Sequence, residues 1–411
     1  MKRFRFLLSG QALSTLGDIL YILALVTTLY RQSGSAAVAA LFPLLRVIGM
    51  TAGSLAAPLV LGRFRLGSLL AVCLLIQAGG LAALAAYLDA AGAGARTEWL
   101  TGTVFVLSVL EGVAGPVRSS LLPRLVEKDR LLKANGTMGA VVEACSLAGW
   151  AFGAVVVSGL GAGPSLWTSA GLLLLAGGFA VATGNPVASG ADEAESGDAG
   201  ASKSFLAGWR TLLRIPALRL VVWMDAWEGL FASAFAGALL LVFAQERLHA
   251  GEVWWGWMNG AFCAGLILAN AFFGRLSARR PSGGMSGLLL GGGAGMALAV
   301  WVFSFSRHPG FALGIMLLIG VAESAKGLAS RTLLQLASPA REMPSVFAAQ
   351  SAVISGLYGI SLLLTGWLAD RYGIRLIYVC AAAGYFIAFL GAFRYRKTVR
   401  EVTLKDVEMQ A

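Results

Sequence analysis

Apolar runs of about twenty residues follow one another along nearly the whole chain, and nothing limits its fold more. A helix needs about 20 mostly apolar residues to cross the hydrocarbon core of a bilayer. Inside lipid every backbone polar group must be bonded internally, which leaves helices or closed barrels. Runs this long, without strict alternation, read as helices. Twelve are found, at roughly 7–30, 36–60, 67–88, 98–122, 134–160 and 164–184, then roughly 216–246, 252–277, 284–305, 310–335, 345–369 and 373–395. Glycine and proline punctuate them: Ser33–Gly34–Ser35, Gly92–Ala93–Gly94, Gly161–Ala162–Gly163–Pro164, Pro281–Ser282–Gly283 and His308–Pro309–Gly310.

Composition agrees. Only 13% of residues are charged and 57% are hydrophobic, whereas a soluble domain carries about 25% charged residues. The start, MKRFRFLLSG, resembles a signal peptide for a few residues. Its apolar run then continues past Asp18 with no polar mature domain behind it, so it reads as a first membrane helix.

One long interval lacks bulky apolar residues: Asn185 to Ser204, where Asp192, Glu193, Glu195 and Asp198 sit among Gly, Ala and Ser. Such a composition cannot bury enough apolar surface to fold. It marks a linker, 185–215, between an N-terminal six-helix bundle, 1–184, and a C-terminal one, 216–396, with a tail at 397–411.

The net charge of +11 would suggest nucleic acid in a soluble protein. Here the position of the charges points to topology instead. With the N-terminus inside, 24 of the 32 Lys and Arg fall in inner segments, six in outer segments, and Arg46 and Lys326 within helices. That bias places both termini in the cytoplasm.

Several chemistries find no support. Cys73, Cys145, Cys263 and Cys380 each lie alone in a predicted helix, and His249 and His308 are far apart, so no metal site or cofactor is expected. There is no P-loop of the GxxxxGK[ST] form and no visible nucleophile–base pair, so neither ATP hydrolysis nor intramembrane enzymology is expected. The sequon Asn135–Gly136–Thr137 falls in a predicted inner segment and reads as chance.

The two halves repeat. A shift of 212 residues carries Gly102 onto Gly314, Val109 onto Val321, Glu111 onto Glu323, Gly115 onto Gly327 and Leu121–Leu122 onto Leu333–Leu334. Apolar matches are cheap in this composition. A glutamate on a glutamate at mid-membrane is not, because each costs a few kcal/mol or more. Two halves related by an axis along the membrane normal are an expected arrangement in secondary transporters.

Specific motifs sharpen this. Ser9–Gly10–Gln11, Ser14 and Gly17–Asp18 open the first helix, and Ser33–Gly34–Ser35 follows it. Pro116–Val117–Arg118–Ser119–Ser120–Leu121–Leu122–Pro123 follows the fourth, then Leu131 and Ala134–Asn135; the tenth ends with Gln335 and Pro339. In these the chain resembles the major facilitator superfamily, in the branch of macrolide-efflux proteins and enterobactin exporters. The resemblance implies two six-helix bundles with helices one, four, seven and ten lining a central cavity. The superfamily's GxxxDRxGRR signature departs after the second helix (Leu61–Gly62–Arg63–Phe64–Arg65) and the eighth (Ala278 in place of Asp), while a fuller copy, Gly366 to Arg375, follows the eleventh.

Charges at mid-membrane are functional candidates by default. They are Asp18, Arg46, Glu111, Glu143, Asp225, Glu228, Glu323 and Lys326. Six fall on the four helices that the resemblance assigns to the cavity: Asp18, Glu111, Asp225, Glu228, Glu323 and Lys326. Glu323 and Lys326, three apart, are expected to neutralise each other. Arg46 is expected to pair with Asp18 or Glu143 as a helix-pairing or gating charge. Asp225 and Glu228, also three apart, form a like-charged pair suited to proton uptake. Glu111 has no opposite charge within four residues, which makes it the expected proton-exchanging acid.

The expectation is therefore an all-α membrane protein with twelve helices. It would be a monomer of the cell membrane that exports amphiphilic small molecules in exchange for protons, with no nucleic-acid partner. An importer or lysophospholipid translocator of the same fold stays open at this point. A non-transporting receptor or scaffold would need a sizeable soluble domain, and only the short linker and tail are there.

Overall fold

The computed structural model describes residues 2–33, 36–61, 64–91, 96–185, 201–235, 238–250, 252–276 and 285–395. Among these there is no strand. The helices are α1 (Lys2–Ser33), α2 (Ala36–Leu61), α3 (Leu66–Ala91), α4 (Thr97–Leu121), α5 (Leu131–Leu160), α6 (Ala162–Thr183), α7 (Ala201–Arg214), α8 (Pro216–Gly229), α9 (Ala238–Glu246), α10 (Glu252–Leu276), α11 (Met285–Ser304), α12 (Pro309–Ala337), α13 (Met343–Tyr372) and α14 (Ile374–Arg394). Eleven are long and apolar enough to cross a membrane. Many large apolar side chains on them point outward, such as Phe152, Val155, Leu298 and Leu363, as a lipid-facing surface requires.

The described residues form two compact units. In the first, α1 packs on α6, α6 on α3, and α2 on α4. In the second, α10 packs on α12, α12 on α11, α11 on α14, and α14 on α8. The units do not coincide with the two halves of the sequence. Residues 127–143, at the start of α5, belong to the second unit, and residues 340–352, at the start of α13, to the first. Small residues permit this. Gly136 and Gly139 let α5 approach Asn270 and Gly274 of α10 so closely that a Cβ at either would collide. Asn135 donates to Thr332 Oγ1 (3.1 Å) and to Gln335 Oε1 of α12. Asn135 is thus buried and bonded, which leaves the sequon unusable in the folded chain. In the first unit Ser54 of α2 donates to Gly112 O (3.1 Å) and bonds Ser351 of α13 (2.9 Å).

The 212-residue repeat reappears as geometry. Gly53 of α2 packs so tightly on Val109 of α4 that a Cβ would strike its carbonyl, and Gly265 of α10 meets Leu317 and Val321 of α12 in the same way. Both glycines and both valines are related by the same shift. So are Gly161 and Gly373, which separate the fifth and sixth helices of each half at φ 85° and 82°. An L side chain rarely adopts that conformation, and nothing lies within 4 Å of either Cβ position. Backbone conformation, not space, selects glycine at this pair.

Two features differ from the sequence reading. The stretch read as linker ends in a helix. Most of Asn185–Ser204, together with the tail, lies outside the described residues, but Ala201–Arg214 is α7, with Leu206, Trp209, Leu212 and Leu213 at helical spacing. Pro216 stops it: Ile215 is forced to an extended conformation and the proline opens α8.

The seventh run, 216–246, is not one helix. It comprises α8, a short 3-10 turn at Ala232–Phe235, and α9. The backbone groups freed by the break are taken up within the second unit. Ser361 Oγ accepts from the Ser233 N–H (3.2 Å), and the Ser361 and Thr365 hydroxyls each lie 2.7 Å from Ser233 Oγ. Tyr378 donates its hydroxyl to Ala234 O (2.6 Å). A broken helix is tolerated at membrane depth only with such partners. Behind it Phe243, Phe303 and Tyr378 form a fully buried aromatic cluster, with Phe243 stacked on Phe303.

Candidate functional site

The break follows directly on two acids. Asp225 and Glu228 lie in the last turns of α8, one turn apart. Lys326 of α12 reaches Glu228 in a buried ion pair and holds Glu323 at 3.0 Å. The lysine and Glu228 side chains are 4% and 10% exposed and Glu323 is 35% exposed, so Glu228 is the partner in the drier setting. Asp225 lies in the electrostatic field of both Glu323 and Lys326. Three carboxylates therefore share one ammonium group. A buried charge cluster is tolerated when paired, and Arg331 adds a second cation in the field of Glu323.

The expected Glu323–Lys326 pair is thus present, as the weaker arm of a triad. Beside the couple of Asp225 and Glu228, Lys326 pairs with Glu228 and lies in the field of Asp225. Glu143, on the part of α5 in the second unit, faces Arg331 and lies in the field of Glu323. The cation that acts on it within this unit is Arg331.

The first unit holds a second group. Asp18 of α1, Arg46 of α2 and Glu111 of α4 are electrostatic neighbours, with Tyr21 beside Arg46 and Asp18. Ser14 donates to Asp18 Oδ2 at 3.4 Å. Glu111 is not uncompensated: Arg118, two turns on along α4, reaches it at 3.5 Å, with both side chains about 15% exposed. Arg118 is not among the mid-membrane charges that the sequence singles out. The signal was present, since residues seven apart share a helix face. The pair is loose. Glu111 Oε2 and Arg118 Nη2 are buried without a hydrogen-bond partner among the described residues, and so is Gln11 Oε1.

The two groups share a plan. In each half the repeated glutamate, Glu111 or Glu323, sits in the field of a carboxylate on its own half's first run, Asp18 or Asp225. They differ in balance. Two acids face two arginines in the first unit, and in the second Asp225, Glu228, Glu323 and Glu143 face Lys326 and Arg331. Among the described residues no group of His, Cys, Asp and Glu could hold a metal ion.

Comparison with known proteins follows the fold and this charge arrangement. Residues 7–357 match the Major Facilitator Superfamily. Two curated relatives from Bacillus subtilis (strain 168) are similar along nearly their whole length. The uncharacterized MFS-type transporter YfmI is 26% identical over 97% of this chain and 98% of its own, and the uncharacterized MFS-type transporter YjbB is 27% identical over 96% and 95%. Among solved structures, a bacterial homologue of the iron transporter ferroportin in its outward-facing state superposes with a TM-score of 0.72 at 17% identity, covering 96% of this chain and 99% of that one. The transporter FucP in its outward conformation gives 0.73 at 14% identity, covering 96% and 98%. These two likenesses concern the fold alone. With a family match over most of its length and relatives similar from end to end, the chain belongs to the major facilitator superfamily of membrane transporters, and is not an enzyme.

Proposed function

We propose that this protein is a proton-coupled exporter of amphiphilic organic small molecules such as drugs, siderophores or secondary metabolites. It works by alternating access, as a monomer, in the cytoplasmic membrane with both termini inside. The observation that carries this reading is the triad of the second unit, three carboxylates around Lys326. Protons and the positive end of a cargo compete for Asp225, Glu228 and Glu323, so that binding of one favours release of the other. The resemblance of the opening motif and the Pro116–Pro123 stretch to macrolide-efflux proteins and enterobactin exporters supports outward transport of bulky amphiphiles.

The test uses purified protein in liposomes carrying an internal pH-sensitive dye, with a panel of fluorescent lipophilic cations and neutral amphiphiles. Cargo movement should drive counter-movement of protons, and accumulation should collapse when a protonophore is added. Transport indifferent to the proton gradient, or movement of no compound in the panel, would overturn the proposal. Cargo and protons moving in the same direction would point to an importer instead.

A further inference from the structure

A small cavity lies inside the first unit, lined by α1, α3, α4 and α6. Its internal volume is ≈ 10 Å³, about the room that one water molecule needs. It suits a water molecule rather than cargo. Its polar lining consists of Gln11 and Ser14 from α1 and Arg118 from α4, set among Leu7, Leu70 and Leu74.

Three details give this cavity a role. Gln11 is held by its amide nitrogen, which donates to Thr15 Oγ1 at 3.1 Å. Its carbonyl oxygen is buried and has no partner among the described residues. Arg118 borders the same cavity with one guanidinium nitrogen likewise unpartnered, while the other reaches Glu111 at only 3.5 Å. A carbonyl and a charged donor, each buried and unsatisfied, thus line one space.

We propose that Gln11 is the alternate acceptor for Arg118. When Glu111 takes up a proton its hold on the guanidinium weakens, and Arg118 turns across the cavity to donate to Gln11 Oε1. When Glu111 loses the proton, Arg118 returns. The exchange keeps a buried cation hydrogen-bonded in both states, which a buried charge requires. Gln11 is therefore a positioning residue for the coupling acid, not a proton carrier. The charged and titratable groups around Glu111 are Arg118 on its own helix, Asp18 and Tyr21 on α1, Arg46 on α2 and Cys73 on α3. None of them offers a neutral acceptor in the cavity. The proposal rests on the proton-coupled reading above.

The test compares the parent, Gln11→Leu and Gln11→Glu in liposomes. It follows cargo transport across a range of pH, proton counter-movement, and equilibrium cargo binding. Gln11→Leu removes the acceptor and should slow gradient-driven transport roughly tenfold, as loss of a hydrogen bond to a charged group does. Cargo binding should stay at the parental level. Gln11→Glu offers a charged acceptor that keeps Arg118 away from Glu111, and should flatten the pH dependence. It carries the test should Gln11→Leu fail to accumulate. If the parent couples protons and both variants keep its rate and pH profile, the exchange is wrong while the coupled reading stands. If the parent moves no protons, both fall.

Discussion

At the scale of single residues, Lys326 carries the most consequence. It is nearly inaccessible and answers two carboxylates at once. Its two arms are unequal, because Glu228 is buried beside it whereas Glu323 keeps about a third of its side chain exposed. Breaking a buried pair by removing one partner costs about 3–5 kcal/mol, and partly exposed pairs contribute about 1 kcal/mol or less. Glu228→Gln should therefore lower protein level and thermal stability in detergent far more than Glu323→Gln. Adding Lys326→Met to Glu228→Gln should restore much of the loss, since no cation is then stranded. A larger loss from Glu323→Gln would mean that the triad is centred elsewhere. The sequence made the Glu323–Lys326 arm legible, because both residues lie one turn apart on one helix. The stronger arm was not legible: Glu228 and Lys326 are 98 positions apart, and only packing of α8 on α12 brings them together. Arg118 was missed for a different reason. It sits near a helix end, where an arginine ordinarily serves topology, and its reach back to Glu111 depends on how the side chain turns.

At the scale of elements, the divided seventh run differs most from what its sequence suggested. Residues 216–246 have the length and apolarity of one membrane helix, and small residues such as Gly229, Ala232, Ser233 and Ala234 occur throughout this chain without breaking helices. The stabilising partners sit far away in sequence: Ser361 is 128 positions from Ser233, and Tyr378 is 144 from Ala234. Local propensity cannot report bonds of that kind. Separately, α8 and α9 are roughly 21 and 14 Å long, too short to span a bilayer of about 30 Å. The break must therefore be held as a unit with its hydroxyl partners. Tyr378→Phe deletes only the donor to Ala234 O and leaves the aromatic cluster in place. It should cost about 1–3 kcal/mol, the penalty for a buried acceptor left unsatisfied, and be read as a lower melting temperature. Because Glu228 lies immediately before the break, transport should also fall in this variant. An unchanged melting temperature would mean that the break does not depend on that bond.

At the scale of the whole molecule, one repeated frame carries two different charge balances. The frame was legible: the 212-residue shift was visible in Glu111 and Glu323, and it also relates Gly53 to Gly265 and Gly161 to Gly373, whose roles emerge only as close approach and positive φ. The mixed membership of α5 and α13 in the two units was not, since apolar periodicity says nothing about which neighbours a helix shares along its length. The imbalance has a functional consequence. In the first unit Asp18 and Glu111 are matched by Arg46 and Arg118, so in the proposed coupling a proton would compete there with an arginine. In the second, Asp225, Glu228, Glu323 and Glu143 exceed Lys326 and Arg331 by two charges, the surplus that protons or a cationic cargo would offset in the proposed exchange. The two units should then fail differently when their repeated acids are neutralised. Glu323→Gln should weaken competition between protons and cationic cargo, measured as the shift of cargo affinity with pH at equilibrium. Glu111→Gln should leave that shift close to the parent's, because the triad is intact, yet abolish accumulation driven by the proton gradient, because the arginine no longer responds to a proton. The two assays separate the roles, since one needs no gradient and the other needs no titration. Equal effects of both variants in both assays would mean that the repeated glutamates act as a symmetric pair, and that the unequal cations around them have no part in coupling.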